Sequence, residues 1–222
     1  MSGLAKSSVA RKVIMALSGL FLVLFLALHV TINFSSVASP EIFNQWSHFM
    51  GYNPLVQFIM QPILIAGVVV HFAMGFVLEV QNKKARVVKY VKFRGGANAP
   101  WVSRNMIISG AVVLAFLGLH FYDFWIHEIT YKFVEANPED PTRYYEETVE
   151  KFEPVWRTVL YVISFVLLSL HLWHGFASSF QSMGVNNKYT PGIRNFTRLY
   201  AIVVPLLFVF IALYHHLNPI TH

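Results

Sequence analysis

The chain has 222 residues, of which 55% are hydrophobic and only 13% charged, with a mean hydropathy of +0.51 and a formal net charge of +6. A water-soluble domain of this size would carry about 25% charged residues. The composition therefore points to a bilayer, and the basic excess, confined to short stretches beside apolar runs, reads as membrane topology and not as a nucleic-acid surface. The absence of cysteine excludes disulfides, iron–sulfur ligation by this chain, thiolate-bound haem and covalent haem attachment through C-x-x-C-H.

An all-α protein with five transmembrane spans is predicted, at 13–34, 55–80, 105–127, 155–180 and 199–217, each near the roughly 20 residues that cross hydrocarbon. The first follows Lys6, Arg11 and Lys12, and its apolar run exceeds the core of a signal peptide, so a retained helix is expected. Ser39-Pro40-Glu41 then opens a short helix ending near Gly51, with a capping residue, proline at the first helical position and an early acid. Pro62 lies inside the second span. The 81–104 loop carries seven Lys/Arg and leads to the third. Asp140-Pro141 opens another short helix reaching Phe152, and the 181–198 loop adds three more basic residues before the last span, which contains Pro205. Thirteen of the seventeen Lys/Arg thus fall on one side, which is expected to be cytoplasmic, with the C-terminus outside. No domain boundary, repeat or low-complexity tract is evident, and a single membrane domain over 1–222 is expected.

Four spans each carry one deeply placed histidine: His29, His71, His120 and His171. An ionisable side chain in a membrane span is costly and is by default a functional candidate. With alternating helix directions, His29 and His120 share the outer level and His71 and His171 the inner one. The levels differ by roughly 15–20 Å at 1.5 Å rise per residue. Two bis-histidine pairs at two depths match what two non-covalent b haems require as axial ligands. His174, one turn from His171, competes for the inner position. His48, His127, His215, His216 and His222 are expected to be interfacial or close to a quinone. Ordinary helix packing also explains intramembrane glycines, so Gly19, Gly67, Gly75, Gly110, Gly118 and Gly175 decide little alone.

Several segments together carry a family resemblance: Ser18-Gly19 through His29, Asn33 with Phe43-Asn44 and His48-Phe49-Met50, His71-Phe-Ala-Met-Gly75, Gly118-Leu-His120, and His171-Leu-Trp-His-Gly175 with Gly184. In these the chain resembles the single-polypeptide, five-helix, two-haem cytochrome b anchor (cytochrome b558 type) of succinate:quinone oxidoreductases. The resemblance covers the first four spans and places the haem ligands on His29, His71, His120 and His171. It implies a flavoprotein subunit and an iron–sulfur subunit docked on the cytoplasmic face, membrane lipid around the spans, and electron exchange with quinone (menaquinone in this class) in a bacterial inner membrane. Where some members carry a glutamate two residues before the fourth-span ligand, this chain has Ser169, and near the second span it offers only Glu41, so proton-coupled fumarate reduction by that route is not expected.

Further expectations concern partners of those haems. Quinone is expected at the outer side, with His48, Gln57 and His127 as candidate contacts. Arg104, which begins the third span, is the candidate for an inner-haem propionate. The basic 83–94 stretch is expected to contribute to docking the soluble subunits. Two other classes fit less well: the di-haem cytochrome b subunit of a hydrogenase or formate dehydrogenase, and a histidine-based metal-ion transporter, for which the spans hold too few acids.

Overall fold

The computed structural model describes residues 7–84 and 106–220. Among the described residues seven helices follow in order: α1 (Ser8–Ala38), α2 (Pro40–Tyr52), α3 (Val56–Lys84), α4 (Met106–Val134), α5 (Arg143–Phe152), α6 (Val155–Ser182) and α7 (Thr190–Leu217). Five of them, α1, α3, α4, α6 and α7, are long and apolar enough to cross a membrane. The protein is an all-α, multi-pass membrane protein. The helices outrun their apolar cores: α7 starts nine residues before position 199, and α4 continues past 127 to Val134. Hydropathy marks the part of a helix in hydrocarbon, whereas the backbone ladder continues into the interface.

Local chemistry accounts for most helix ends. At α2 the Ser39 hydroxyl accepts from the Ile42 amide at 3.3 Å and donates to Glu41 at 2.6 Å, and this bond holds the Glu41 carboxyl below its ordinary range. The second short helix begins at Arg143, later than Asp140-Pro141 suggested. Asp140 instead closes a turn, accepting from the Thr142 amide at 2.8 Å and its hydroxyl at 2.7 Å. Gly184 ends α6 with φ +82°, and the Val185 amide reaches back to the Phe180 carbonyl at 3.0 Å. Pro62 cannot donate to the ladder, and the turn before it, Val56–Met60, widens to i→i+5 bonding. Two more wide turns, Phe121–Ile126 and Thr130–Val134, interrupt α4 beyond His120.

Four spanning helices form a ring. Helix α1 packs on α3 and α6, and α4 packs on α6 and α3, so α1/α4 and α3/α6 are the two diagonals. Helix α7 lies outside against α6 and α1. The tightest packing follows it: Ala201 and Ala212 are fully buried, and Tyr161, Phe165, Phe208 and Ile211 interlock between α6 and α7. Helix α3 has no buried residue, and Ile63, Val69, Phe72 and Phe76 form an exposed apolar face suited to lipid. One end of the bundle carries Arg11, Lys12, Lys83, Lys84, Lys188, Arg194 and Arg198 with Glu79 as its one acid; the opposite end carries α2, α5 and the remaining acids. Arg104 and most of the basic 81–104 loop lie outside the described residues, as do Asn105 and His222.

Candidate functional site

Each diagonal of the ring brings two histidines face to face. The His29 and His120 rings lie 5.7 Å apart between centroids at 83°, and His71 and His171 lie 6.3 Å apart at 77°. The levels follow from α1 alone: Ser18 touches His71, and His29 lies eleven residues further along, roughly 16 Å at 1.5 Å per residue. His174 takes no part. It lines a separate cleft with Trp173, Arg194 and Arg198.

The pair near the basic end has its chemistry set by two serines. The Ser18 hydroxyl donates its one hydrogen to the Met15 carbonyl at 3.0 Å and lies 3.2 Å from His71 Nδ1. Ser109 repeats this, with Met106 O at 3.0 Å and His171 Nδ1 at 3.3 Å. With each hydroxyl proton on its own-helix carbonyl, the serine oxygen is placed to accept from Nδ1, an arrangement that leaves Nε2 with its lone pair. That is the tautomer a metal ligand needs, held by an outer partner. Each ring also rests on a glycine: a Cβ at Gly19 would lie 3.1 Å from His71 Cε1, and one at Gly110 would lie 3.5 Å from His171 Cε1.

The pair near the acidic end is held by aromatic packing. Phe25 stacks on His29 at 5.3 Å and Phe116 on His120 at 5.8 Å, with Phe208, Phe124 and Tyr161 closing the surroundings. Asn33 Nδ2 donates to the His29 carbonyl at 2.8 Å and stands only 3.4 Å from its Nδ1. His120 Nδ1 is buried without a hydrogen-bond partner.

These contacts expose a repeat that was not evident beforehand. The pattern M-x2-S-G-x5-F-x2-L-H occurs at Met15–His29 and again at Met106–His120, and H-x3-G-F occurs at His71–Phe76 and His171–Phe176. Most repeated positions do the same work twice. The serine and glycine seat the basic-end histidine, the phenylalanine stacks on the acidic-end one, and Met15 and Met106 each lie 3.5 Å from where a Cβ would stand on Gly75 and Gly175. Equivalent residues of the two halves pair with each other, so a pseudo-two-fold axis runs along the bundle through both sites. Helix α7 breaks the symmetry: Phe176 is 5% exposed beneath it, and its counterpart Phe76 is 56% exposed.

The remaining candidates separate. His48 pairs with Glu139 at 2.8 Å and stacks on Tyr52, and His127 pairs with Glu147 at 3.5 Å. Both border a knot in which Arg143 binds Glu128 and Glu147 while Lys132 binds Glu128 at 2.5 Å and the Gly51 carbonyl at 2.6 Å. Burial works to lower the Arg143 guanidinium, but its bonds to Glu147 and Glu128 prevail and hold it above its ordinary value. Burial, with Glu128 beside it, pushes the Tyr144 phenol up. Gln57 stands apart in the wide first turn of α3. His215, expected at the interface, is fully buried: Ser36, its proton spent on the Asn33 carbonyl at 2.6 Å, accepts from His215 Nε2 at 2.8 Å. It pins α7 to α1.

Two residues given no role from the sequence also belong here. Asp123 is 1% exposed in the wide turn just after His120, where it accepts from Tyr161 Oη at 2.8 Å and lies 3.5 Å from Arg157. A lone acid inside an apolar run was the available signal. Asn44 staples α2 to α5, donating to the Thr142 carbonyl and accepting from the Tyr145 amide, both at 2.7 Å.

The ligand set limits what could bind. Among the described residues no third His, Asp or Glu joins either pair to form a metal cluster. A structural zinc ion takes four ligands, whereas haem iron already has four ring nitrogens and needs two axial ligands. Metal–imidazole bonds of about 2.0–2.1 Å on two sides of one metal put ring centroids roughly 6 Å apart, close to both observed separations. Haem fits the residues present. The fold and the paired sites define a class: a five-span membrane protein with two stacked bis-histidine sites on a pseudo-two-fold axis. No family model matches the chain, and comparison with curated proteins and with solved structures finds no match.

Proposed function

We propose that the chain is a di-haem cytochrome b that anchors a succinate:quinone oxidoreductase and carries electrons between its iron–sulfur subunit and membrane quinone. The observation that carries the redox part is the pair of imidazoles, His71 and His171, facing each other across one diagonal with a serine hydroxyl at each Nδ1 that suits Nε2 as the ligand atom. A helix-packing histidine needs no such tautomer, and a cation site needs more ligands. The resemblance in the four histidine segments supports the choice of complex, and the basic end, with one acid against its many cations, supports placing the soluble subunits there as the cytoplasmic face.

Bound haem supplies a one-electron centre at each level. The chain's own residues would hold the imidazoles at fixed depths and exclude water with the α6–α7 packing, the two histidine levels lying roughly 16 Å apart along α1. Quinone is assigned to the acidic end, beside His29 and His120, because a second centre has a purpose only if electrons must cross the membrane. His48 and His127 border that end with acids at 2.8 and 3.5 Å, which suits proton exchange with a quinone.

The test is purification from the native membrane. Two haem b per chain in a dithionite-minus-oxidised spectrum, with a flavoprotein and an iron–sulfur protein co-purifying, is the expected result. A hydrogenase or formate dehydrogenase partner would move the chain to that class, and no haem at all would end the redox reading. A His120→Ala variant that stays assembled should pass electrons from succinate to a dye but lose most quinone reduction.

A further inference from the structure

Between α6 and α7, at the basic end, lies a cleft of about 240 Å³ that takes no part in either histidine pair. Its polar lining is His174, Ser178, Gln181, Arg194 and Arg198, and Trp173 forms one wall. We infer that this cleft binds the headgroup of an anionic phospholipid.

Charge is the first reason. Arg194 and Arg198 are one turn apart on α7, where like charges at i and i+4 repel. The one acid of that end, Glu79, is taken by Lys83 at 3.2 Å. The connecting stretch 85–105 supplies no counter-ion either, since it contains no Asp or Glu. Arg198 lies over the Trp173 ring at 5.4 Å, which spends its face and leaves the N–H fork for an oxyanion.

Depth and shape supply the second reason. Gln181 is in the last turn of α6, and Arg194 and Arg198 are in the first turns of α7, so the cleft sits where headgroups meet the helix ends. Continuing down α7 at four-residue steps, Arg194 and Arg198 are followed by Ile202 and Leu206, which are 41% and 58% exposed. One helix face therefore offers two cations and then a bare apolar strip, the order of a phosphate and its acyl chain. A free phosphate or an acidic protein segment would not use the strip. Basic pockets between spanning helices facing an anionic leaflet are suited to such lipids.

The experiment measures lipid retained by the purified full chain, by native mass spectrometry, after titration with phosphatidylglycerol, phosphatidylcholine or inorganic phosphate. One phosphatidylglycerol should bind in preference to phosphatidylcholine. In Arg194→Gln/Arg198→Gln its affinity should fall about 20- to 30-fold, at about fivefold per removed charge. Lys83→Gln/Lys84→Gln removes equal charge from the same end but outside the cleft and should leave that site intact. Equal loss in both variants would mean diffuse attraction and overturn the site. Equal binding of the two lipids by the unaltered chain, or inorganic phosphate displacing the lipid at similar concentration, would overturn it as well. If the double variant does not fold, each single substitution should show about a fivefold loss. No outcome depends on haem content, so the site and the electron-transfer reading fail separately.

Discussion

The two histidine levels solve one problem in different ways. At His71/His171 each ring is fixed by a serine hydroxyl at Nδ1 and by a glycine that lets the ring lie on the neighbouring helix. At His29/His120 the rings are fixed by stacked phenylalanines, and one Nδ1 has no partner. A polar partner at Nδ1 favours one tautomer, whereas stacking specifies only a plane. On the proposed reading the basic-end pair is the more fully organised as a ligand pair by the chain's own residues.

The comparison breaks most sharply at the ligands themselves. On the proposed reading, His71→Ala should lose the basic-end haem and spare most of the other, lowering haem content from two towards one per chain in a pyridine haemochrome assay. Two haems retained would sink the pairing. Ser18→Ala and Ser109→Ala come next: loss of a ligand's outer partner costs about 10–100-fold in metal affinity. The retained-haem spectrum should change at the basic-end level, while Asn33→Ala, removing a 3.4 Å contact to His29 Nδ1 and a 2.8 Å bond to the His29 carbonyl, should change the acidic-end level much less. Equal effects at both levels would erase the distinction between them.

A finer test uses the two glycines. Gly19→Ala places a methyl 3.1 Å from His71 Cε1 and should displace that ring, whereas Gly110→Ala meets His171 at an ordinary 3.5 Å and should be nearly silent in both melting temperature and haem content. The smallest effect belongs to Tyr144 at the acidic end. Its folded pKa is raised, so the folded state keeps a proton that the unfolded chain releases above about pH 10. The stability it contributes is present below pH 10 and lost as pH rises through the folded value. Tyr144→Phe should make the alkaline side of the melting-temperature profile shallower, and an unchanged profile would show that the phenol does not couple to folding.

The spans and the two depths were legible in the sequence because hydropathy and a fixed rise per residue are one-dimensional quantities. His29 with His120, and His71 with His171, follow from counting. The late start of the second short helix was not legible, since Asp140 bonds its own turn instead of capping the helix. Nor was the buried state of His215, which depends on Ser36, 179 residues away.

The repeat marks the boundary between the two kinds of knowledge most clearly. Its residues were in plain view, yet Met, Ser, Gly and Phe are common in membrane helices, and a sparse match on such a background carries little weight. What the chain by itself determined is how many helices span, which end is basic and which histidines share a depth, because each of those depends on one helix at a time. Only the tertiary structure decided which helices are diagonal and which serine faces which imidazole, and it agrees with the resemblance in bringing His171 and not His174 to His71. Those depend on the rotation of each helix about its own axis, and that rotation is set by packing against neighbours.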